Sequence, residues 1–102
     1  MTFKAFTPVT DDEELHLPAL IQYSALGDID EVTFLLEEGV DPNLTDDEGY
    51  SALQAAAENG YLEVVQLLIE KGANHLYKSE YTAIQLAEMA EHFDIVNYLK
   101  NL

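Results

Sequence analysis

Apolar residues recur along the chain at a fixed spacing, which predicts repeated pairs of helices. Gly27 and Gly39 recur 33 residues later as Gly60 and Gly72. The apolar positions around these glycines keep the same offset: Val32, Leu35 and Leu36 correspond to Val65, Leu68 and Ile69. A third copy fits at an offset of 31, so that residues 83–85 correspond to residues 52–54. Each copy is predicted to contain a short helix, a tight turn, a second helix and a longer loop.

Start and stop signals sharpen this prediction. Ser51 followed by Gln54, and Thr82 followed by Gln85, have the spacing of a capping box at a helix N-terminus. Gly60 is expected to supply the turn between the two helices of the second copy, because glycine readily adopts the left-handed conformation that ends a helix. Proline prevents a helix from continuing, so residues 41–43, Asp-Pro-Asn, are expected to begin a projecting loop.

The second copy, residues 46–73, resembles the ankyrin repeat family. The residues that carry the resemblance are Gly49, Ser51, Ala52, Leu53, Ala56, Ala57, Gly60, Val65, Leu67, Leu68 and Gly72. The resemblance implies an all-α fold, a solenoid of helix-turn-helix repeats with projecting loops, over repeats at about 17–45, 46–76 and 77–102. The chain departs from the family pattern where the family has histidine, at Ile21, Gln54 and Gln85. The resemblance implies that the histidine's hydrogen bonds to neighbouring loops are lost at Ile21 and are made by glutamine in the other two copies. The chain also has Glu91 at the turn glycine of the third copy.

Residues 1–16 precede the repeats and are interpreted as an N-terminal extension. Phe3, Phe6 and Val9 are apolar, and Thr10 with Glu13 has the spacing of a helix start. We interpret this extension as a cap over the first repeat. A disordered acidic tail is the alternative, since chain termini are commonly mobile.

The charge of the chain restricts its partners. The chain contains 20 acidic residues and four lysines, which give a formal net charge of -16. Thirteen of these acidic residues and one lysine lie before Ser51, against seven acidic residues and three lysines from Ser51 onward. Binding to nucleic acids or anionic membranes requires the opposite sign of charge. A partner protein with a basic surface is therefore favoured.

Neither catalysis nor metal binding is indicated. The chain has no cysteine, and His16, His75 and His92 lie in separate segments without the spacing of a metal-ligand pair. We expect no enzymatic activity, no catalytic residues, no metal and no cofactor. The first 16 residues contain no apolar stretch long enough for a signal peptide or membrane span, so a cytoplasmic protein is expected.

The family resemblance implies a protein-binding face formed by the loop tips and the exposed side of the first helices. The residues predicted to contact a partner are Asp47, Glu48, Tyr50, Glu58, Asn59, Tyr81, Met89 and Leu26. These residues combine aromatic and apolar side chains with carboxylates, as binding surfaces often do. In the alternative interpretation, Tyr50 and Tyr81 cover the ends of their own hairpins and Met89 belongs to the core.

The sequence thus predicts a non-enzymatic protein-binding module. Its most concrete form is an acidic inhibitor or immunity-type protein that neutralises a basic partner such as a toxin or nuclease. A general adaptor or scaffold is the alternative, and a DNA mimic is less favoured because the carboxylates cluster in loops. Self-association through apolar residues is a further alternative, so the oligomeric state is left open.

Overall fold

The computed structural model describes residues 18–102, which fold into six helices with no strands among them. The helices are α1 (Ala19–Leu26), α2 (Ile29–Glu37), α3 (Ala52–Asn59), α4 (Leu62–Glu70), α5 (Ala83–Met89) and α6 (Phe93–Lys100). The predicted all-α repeat fold is confirmed. Residues 1–16, which we interpret as a cap and which include His16, lie outside the described range.

The helices form two layers. The first helices of the repeats, α1, α3 and α5, pack in sequence, and the second helices, α2, α4 and α6, pack beside them in the same order. Helix α3 consists largely of alanine, and Ala52, Ala55, Ala56 and Ala57 are all fully buried, so its neighbours approach closely. The repeated valine position, at Val32, Val65 and Val96, is buried in every repeat. The repeats therefore share one continuous core, as a solenoid requires.

The predicted caps are present. In both capping boxes, the hydroxyl of Ser51 or Thr82 accepts from the backbone of the glutamine three residues later, and the glutamine side chain accepts from the first residue's backbone. Gly27 and Gly60 end α1 and α3 in the left-handed conformation, with φ of 74° and 88°. Glu91, in the corresponding place after α5, has φ of 64° despite its side chain.

Each turn glycine is covered by an aromatic ring from the next repeat. A Cβ atom placed on Gly27 would lie 2.5 Å from the ring of Tyr61, and one on Gly60 would lie 2.6 Å from the imidazole of His92. A Cβ atom this close would force the ring to move, so glycine is favoured beneath both rings. Tyr61 and His92 directly precede α4 and α6, so His92 lies in the turn between the two helices of the third repeat.

Hydrogen bonds also connect the loops of successive repeats. The Asn43 side chain donates to the carbonyl oxygen of Gly72 at 3.0 Å and accepts from the backbone N–H of Asn74 at 2.7 Å. The Tyr77 hydroxyl donates to the carbonyl oxygen of Gly49 at 2.6 Å. The loops therefore stack with a fixed register, and this register positions the surface described next.

Gln54 bridges the second and third repeats. Its side-chain amide donates to the hydroxyl of Ser79 at 2.9 Å and to the carbonyl oxygen of Tyr81 at 2.7 Å. Glutamine was expected to replace the family's histidine in bonding to a neighbouring loop, and Gln54 does so. Gln85, at the same position of the third repeat, is exposed and bonds only to Thr82 among the described residues, so the same expectation is not met at Gln85.

Candidate functional site

The loop before α3 is a tight hairpin that presents two carboxylates. The Asp46 carboxylate accepts from the backbone N–H groups of Glu48 and Tyr50, each at 2.9 Å, and an antiparallel bridge joins Thr45 to Ser51. These bonds hold the hairpin closed, and Asp47 is exposed at its tip beside Glu48. The two predicted contact residues therefore project from a well-held turn.

Tyr50 connects this hairpin to the exposed side of α3. Its hydroxyl donates to Oε1 of Glu58 at 2.5 Å, and its ring packs partly against the core. Burial, followed by the hydrogen bond to Glu58 and the nearby charges of Glu58 and Asp46, raises the pKa of Tyr50 well above its ordinary value. The phenol therefore keeps its proton, and its hydrogen bond to one oxygen of the Glu58 carboxylate, at alkaline pH values where an ordinary tyrosine ionises.

Between the second and third repeats lies a groove of about 300 Å³, which we call the inter-repeat groove. The second repeat lines it with Tyr50 and Glu58, and the third repeat lines it with Ser79, Glu80, Tyr81, Leu86 and Met89. Tyr81 and Met89 are 39% and 58% exposed, which is high for large apolar side chains. A groove lined by aromatic, apolar and carboxylate side chains can accept a side chain that is partly apolar and positively charged.

Four of the predicted contact residues meet in this groove: Tyr50, Glu58, Tyr81 and Met89. The exposure of Met89 shows that it does not belong to the core, whereas Tyr50 does cover part of its own repeat. Glu80 and Leu86 were not among the predicted residues. Leu86 corresponds to Ala55 of α3 at the repeat offset of 31. Its larger apolar side chain at this position of a first helix was the sequence signal that could have identified it as a groove residue.

The other predicted residues lie apart from the groove lining. Asp47 and Glu48 stand on the hairpin that leads into Tyr50. The Asn59 side chain donates back to the carbonyl oxygen of Ala55 at 2.8 Å, within its own helix. Leu26 is 62% exposed at the end of α1 and does not line the groove. The structure thus groups residues of the second and third repeats rather than of all three.

Very little of the negative charge is neutralised within the described residues. Residues 18–102 contain 16 acidic residues and three lysines. Within that range one ion pair is found, between Lys100 and Glu88 at 4.0 Å, and both side chains are exposed. The carboxylates around the inter-repeat groove therefore face solvent without a lysine partner from the described chain.

Neither a metal cluster nor a membrane span emerges from residues 18–102. No group of three or more histidine or acidic side chains within this range is arranged to hold a metal ion. None of the helices described here combines the length and apolar character needed to cross a membrane.

Comparison with known proteins identifies the repeats. A family model of ankyrin repeats, comprising three copies, matches residues 20–102. The chain belongs to the ankyrin repeat family. Ankyrin repeats bind other proteins and typically have no enzymatic activity, so the chain is a protein-binding module.

Several curated ankyrin proteins are similar to this chain over part of their length. The fowlpox virus (strain NVSL) ankyrin repeat protein FPV014 is 44% identical over 61 residues, which are 58% of this chain and 14% of that protein. Human NAD-capped RNA hydrolase NUDT12 is 38% identical over 81 residues, 74% of this chain and 17% of the hydrolase. Human ankyrin repeat domain-containing protein 39 is 40% identical over 62 residues, 60% of this chain and 34% of that protein.

The chain therefore spans about a third or less of the length of these relatives. The name NAD-capped RNA hydrolase refers to the whole of NUDT12, whereas this chain is similar to NUDT12 in its ankyrin repeats. The comparisons thus support an ankyrin interaction module and assign no chemical reaction to it.

Proposed function

We propose that this ankyrin module binds a basic partner protein through the face that holds the inter-repeat groove. In its most concrete form, the module is an acidic inhibitor or immunity-type protein that neutralises a toxin or nuclease by covering its cationic surface. The observation that carries the proposal is the combination of exposed Tyr81 and Met89 with the carboxylates of Glu58 and Glu80, neither of which forms an ion pair within residues 18–102.

The two kinds of side chain have different roles in this proposal. Carboxylates on the hairpin and groove rim attract an oppositely charged partner over several ångströms and accelerate its association. The aromatic and apolar side chains of the groove provide contacts that exclude water, which chiefly lengthen the lifetime of a complex. Mobile ions screen the first contribution, so the association rate is expected to fall as salt is added.

Charge-neutralising variants test whether the hairpin steers the partner. The probe is a twelve-residue peptide of alternating lysine and leucine, followed by fluorescence anisotropy and stopped-flow mixing at low and high salt. Replacing both Asp47 and Glu48 by their amides is expected to slow association by about threefold to tenfold at low salt. The matched control replaces Glu63 and Glu70, exposed on α4, by glutamine. Equal rates for the two double variants, or binding indifferent to salt, would contradict the proposal.

A second experiment separates an inhibitor from an adaptor. The chain is used to capture basic proteins from its source organism, and the activity of each captured protein is measured with and without the purified chain. An inhibitor abolishes that activity at a one-to-one ratio. An adaptor leaves it unchanged, and a DNA mimic would compete with duplex DNA for the captured protein.

A further inference from the structure

We propose that the inter-repeat groove is a subsite for the guanidinium group of a single arginine in an exposed segment of the partner. This inference rests on the proposed function and specifies the side chain that the module recognises. The positive charge of arginine complements the carboxylates of Glu58 and Glu80, and its flat group complements the tyrosine rings.

The carboxylate of Glu58 is prepared for such a ligand. Its Oε1 atom accepts from the Tyr50 hydroxyl, which limits the rotation of the carboxylate, while Oε2 has no partner among the described residues. A guanidinium group presents several N–H donors in one plane and forms its strongest hydrogen bonds with carboxylates. Glu58 therefore offers an oriented acceptor whose side-chain freedom is already reduced by Tyr50.

The two tyrosines of the groove lining contribute a second type of contact. Tyr81 is 39% exposed and Tyr50 is half-buried, and both line the groove. Arginine stacks on tyrosine faces, and the attraction is stronger where water is excluded. Lysine lacks the planar group that stacks in this way. Arginine is therefore the better match of the two cations.

Apolar side chains complete the groove. Met89 is 58% exposed and Leu86 is half-buried, and both lie on α5. The arginine stem consists of methylene groups, which bury against apolar surface while the charged end remains among polar groups. A groove of about 300 Å³ lies at the small end of the range for ligand sites, so it suits one side chain rather than a helix.

Nuclear magnetic resonance of the full chain tests the subsite directly. The probes are N-acetyl-arginine amide, its neutral isostere N-acetyl-citrulline amide, and N-acetyl-lysine amide, each titrated against ¹⁵N-labelled protein. Arginine is expected to shift the amide signals of Tyr50, Glu58, Glu80, Tyr81 and Met89 in a saturable manner. Citrulline should bind about tenfold more weakly, as expected when charge-assisted hydrogen bonds are lost, and lysine should fall between the two.

Matched surface variants locate the binding. Glu80→Gln and Met89→Ala are each expected to weaken arginine binding by about threefold or more. Their controls are Glu70→Gln, which neutralises an exposed carboxylate on α4, and Phe34→Ala, which removes a large exposed apolar side chain on α2; both should leave the affinity within a factor of two. Thermal unfolding of each variant confirms that it remains folded.

The outcomes distinguish this inference from the proposed function. Citrulline binding as tightly as arginine, or shifts spread evenly over the acidic surface, would overturn the arginine subsite. If the lysine-leucine peptide still bound in a salt-dependent and hairpin-dependent manner, the proposed function would stand without it. If neither the peptide nor the arginine probe bound, both would fall.

Discussion

The side-chain amide of Gln54 lies 2.7 Å from the carbonyl oxygen of Tyr81, at the interface between the second and third repeats. Gln54 is 1% exposed, and its carbonyl oxygen also accepts from the backbone N–H of Ser51 at 2.8 Å. Gln54→Leu would leave these buried groups unpaired, and we expect it to lower the free energy of unfolding by about 2–3 kcal/mol. Urea denaturation followed by circular dichroism measures the loss.

Gln85→Leu is the control, because Gln85 has the same capping role but is exposed and bridges to no loop in the described chain. It should lower the free energy of unfolding by about 1 kcal/mol or less. Equal losses in the two variants would show that the hydrogen bonds between repeats contribute nothing.

Because the ring of Tyr61 covers Gly27, alanine should destabilise the protein more at Gly27 than at Gly39. Gly27 and Gly39 both have positive φ, but a Cβ at Gly27 would meet the ring at 2.5 Å, whereas one at Gly39 has nothing within 4 Å. We expect Gly39→Ala to lower the free energy of unfolding by about 1 kcal/mol and Gly27→Ala by about 2–4 kcal/mol. Similar values from chemical denaturation would mean that the ring moves aside without cost.

Glu91 is expected to be a site of stabilisation. Its φ of 64° is unfavourable for a residue with a side chain, while glycine adopts it readily. Relief of about 1–2 kcal/mol of strain, less the greater freedom of glycine in the unfolded chain, should make Glu91→Gly more stable by about 0.5–1 kcal/mol. Glu91→Ala retains the conformational penalty and serves as the control. A thermal midpoint that rises equally for both variants would contradict this explanation.

Removing the hydroxyl group of Ser24 should stabilise the folded protein. The side chain is fully buried in α1, and its Oγ atom has no hydrogen-bond partner among the described residues. The corresponding residue of α3 is Ala57, which is also fully buried. Ser24→Ala should raise the free energy of unfolding by about 1 kcal/mol. The same change at Ser51, which caps α3, should lower it by about 1 kcal/mol, so denaturation curves should move in opposite directions.

The raised pKa of Tyr50 predicts that the stability of the protein falls as the pH becomes alkaline. Since burial and Glu58 raise its pKa in the folded state, the folded protein retains a proton that the unfolded chain loses near pH 10. The stability that the protonated Tyr50 contributes is fully present below about pH 10 and is lost as the pH rises towards the folded-state pKa. Tyr50→Phe should therefore lose less stability between pH 9 and pH 11, and Glu58→Gln should be intermediate. Parallel curves for all three proteins would contradict this assignment.

The helices and turns were predictable because they depend on local signals that the repeat offset makes visible. Capping boxes at Ser51 and Thr82 and the turn at Gly60 arise from residues within a few positions of one another. Gln54 was expected to bond to a neighbouring loop, but its partners at Ser79 and Tyr81 depend on how the loops stack. That stacking is a tertiary property.

The candidate site was only partly predictable for the same reason. Tyr50, Glu58, Tyr81 and Met89 were selected by their repeat positions, and the structure brings these four into one groove. Leu26 occupies the same repeat position as Asn59, yet neither lines the groove, because repeat position does not determine which pair of repeats leaves a cleft. Glu80 lines the groove from the loop before α5, where an antiparallel bridge joins Lys78 to Thr82.

The rings of Tyr61 and His92 above the two turn glycines also provide spectroscopic reporters. An aromatic ring displaces the proton resonances of atoms beneath it, so the Hα signals of Gly27 and Gly60 should each be shifted while the next repeat remains docked. Gly27 reports on the first interface between repeats, and Gly60 on the second. Separation of the third repeat during unfolding or on binding a partner could then be followed in the unmodified protein, one interface at a time.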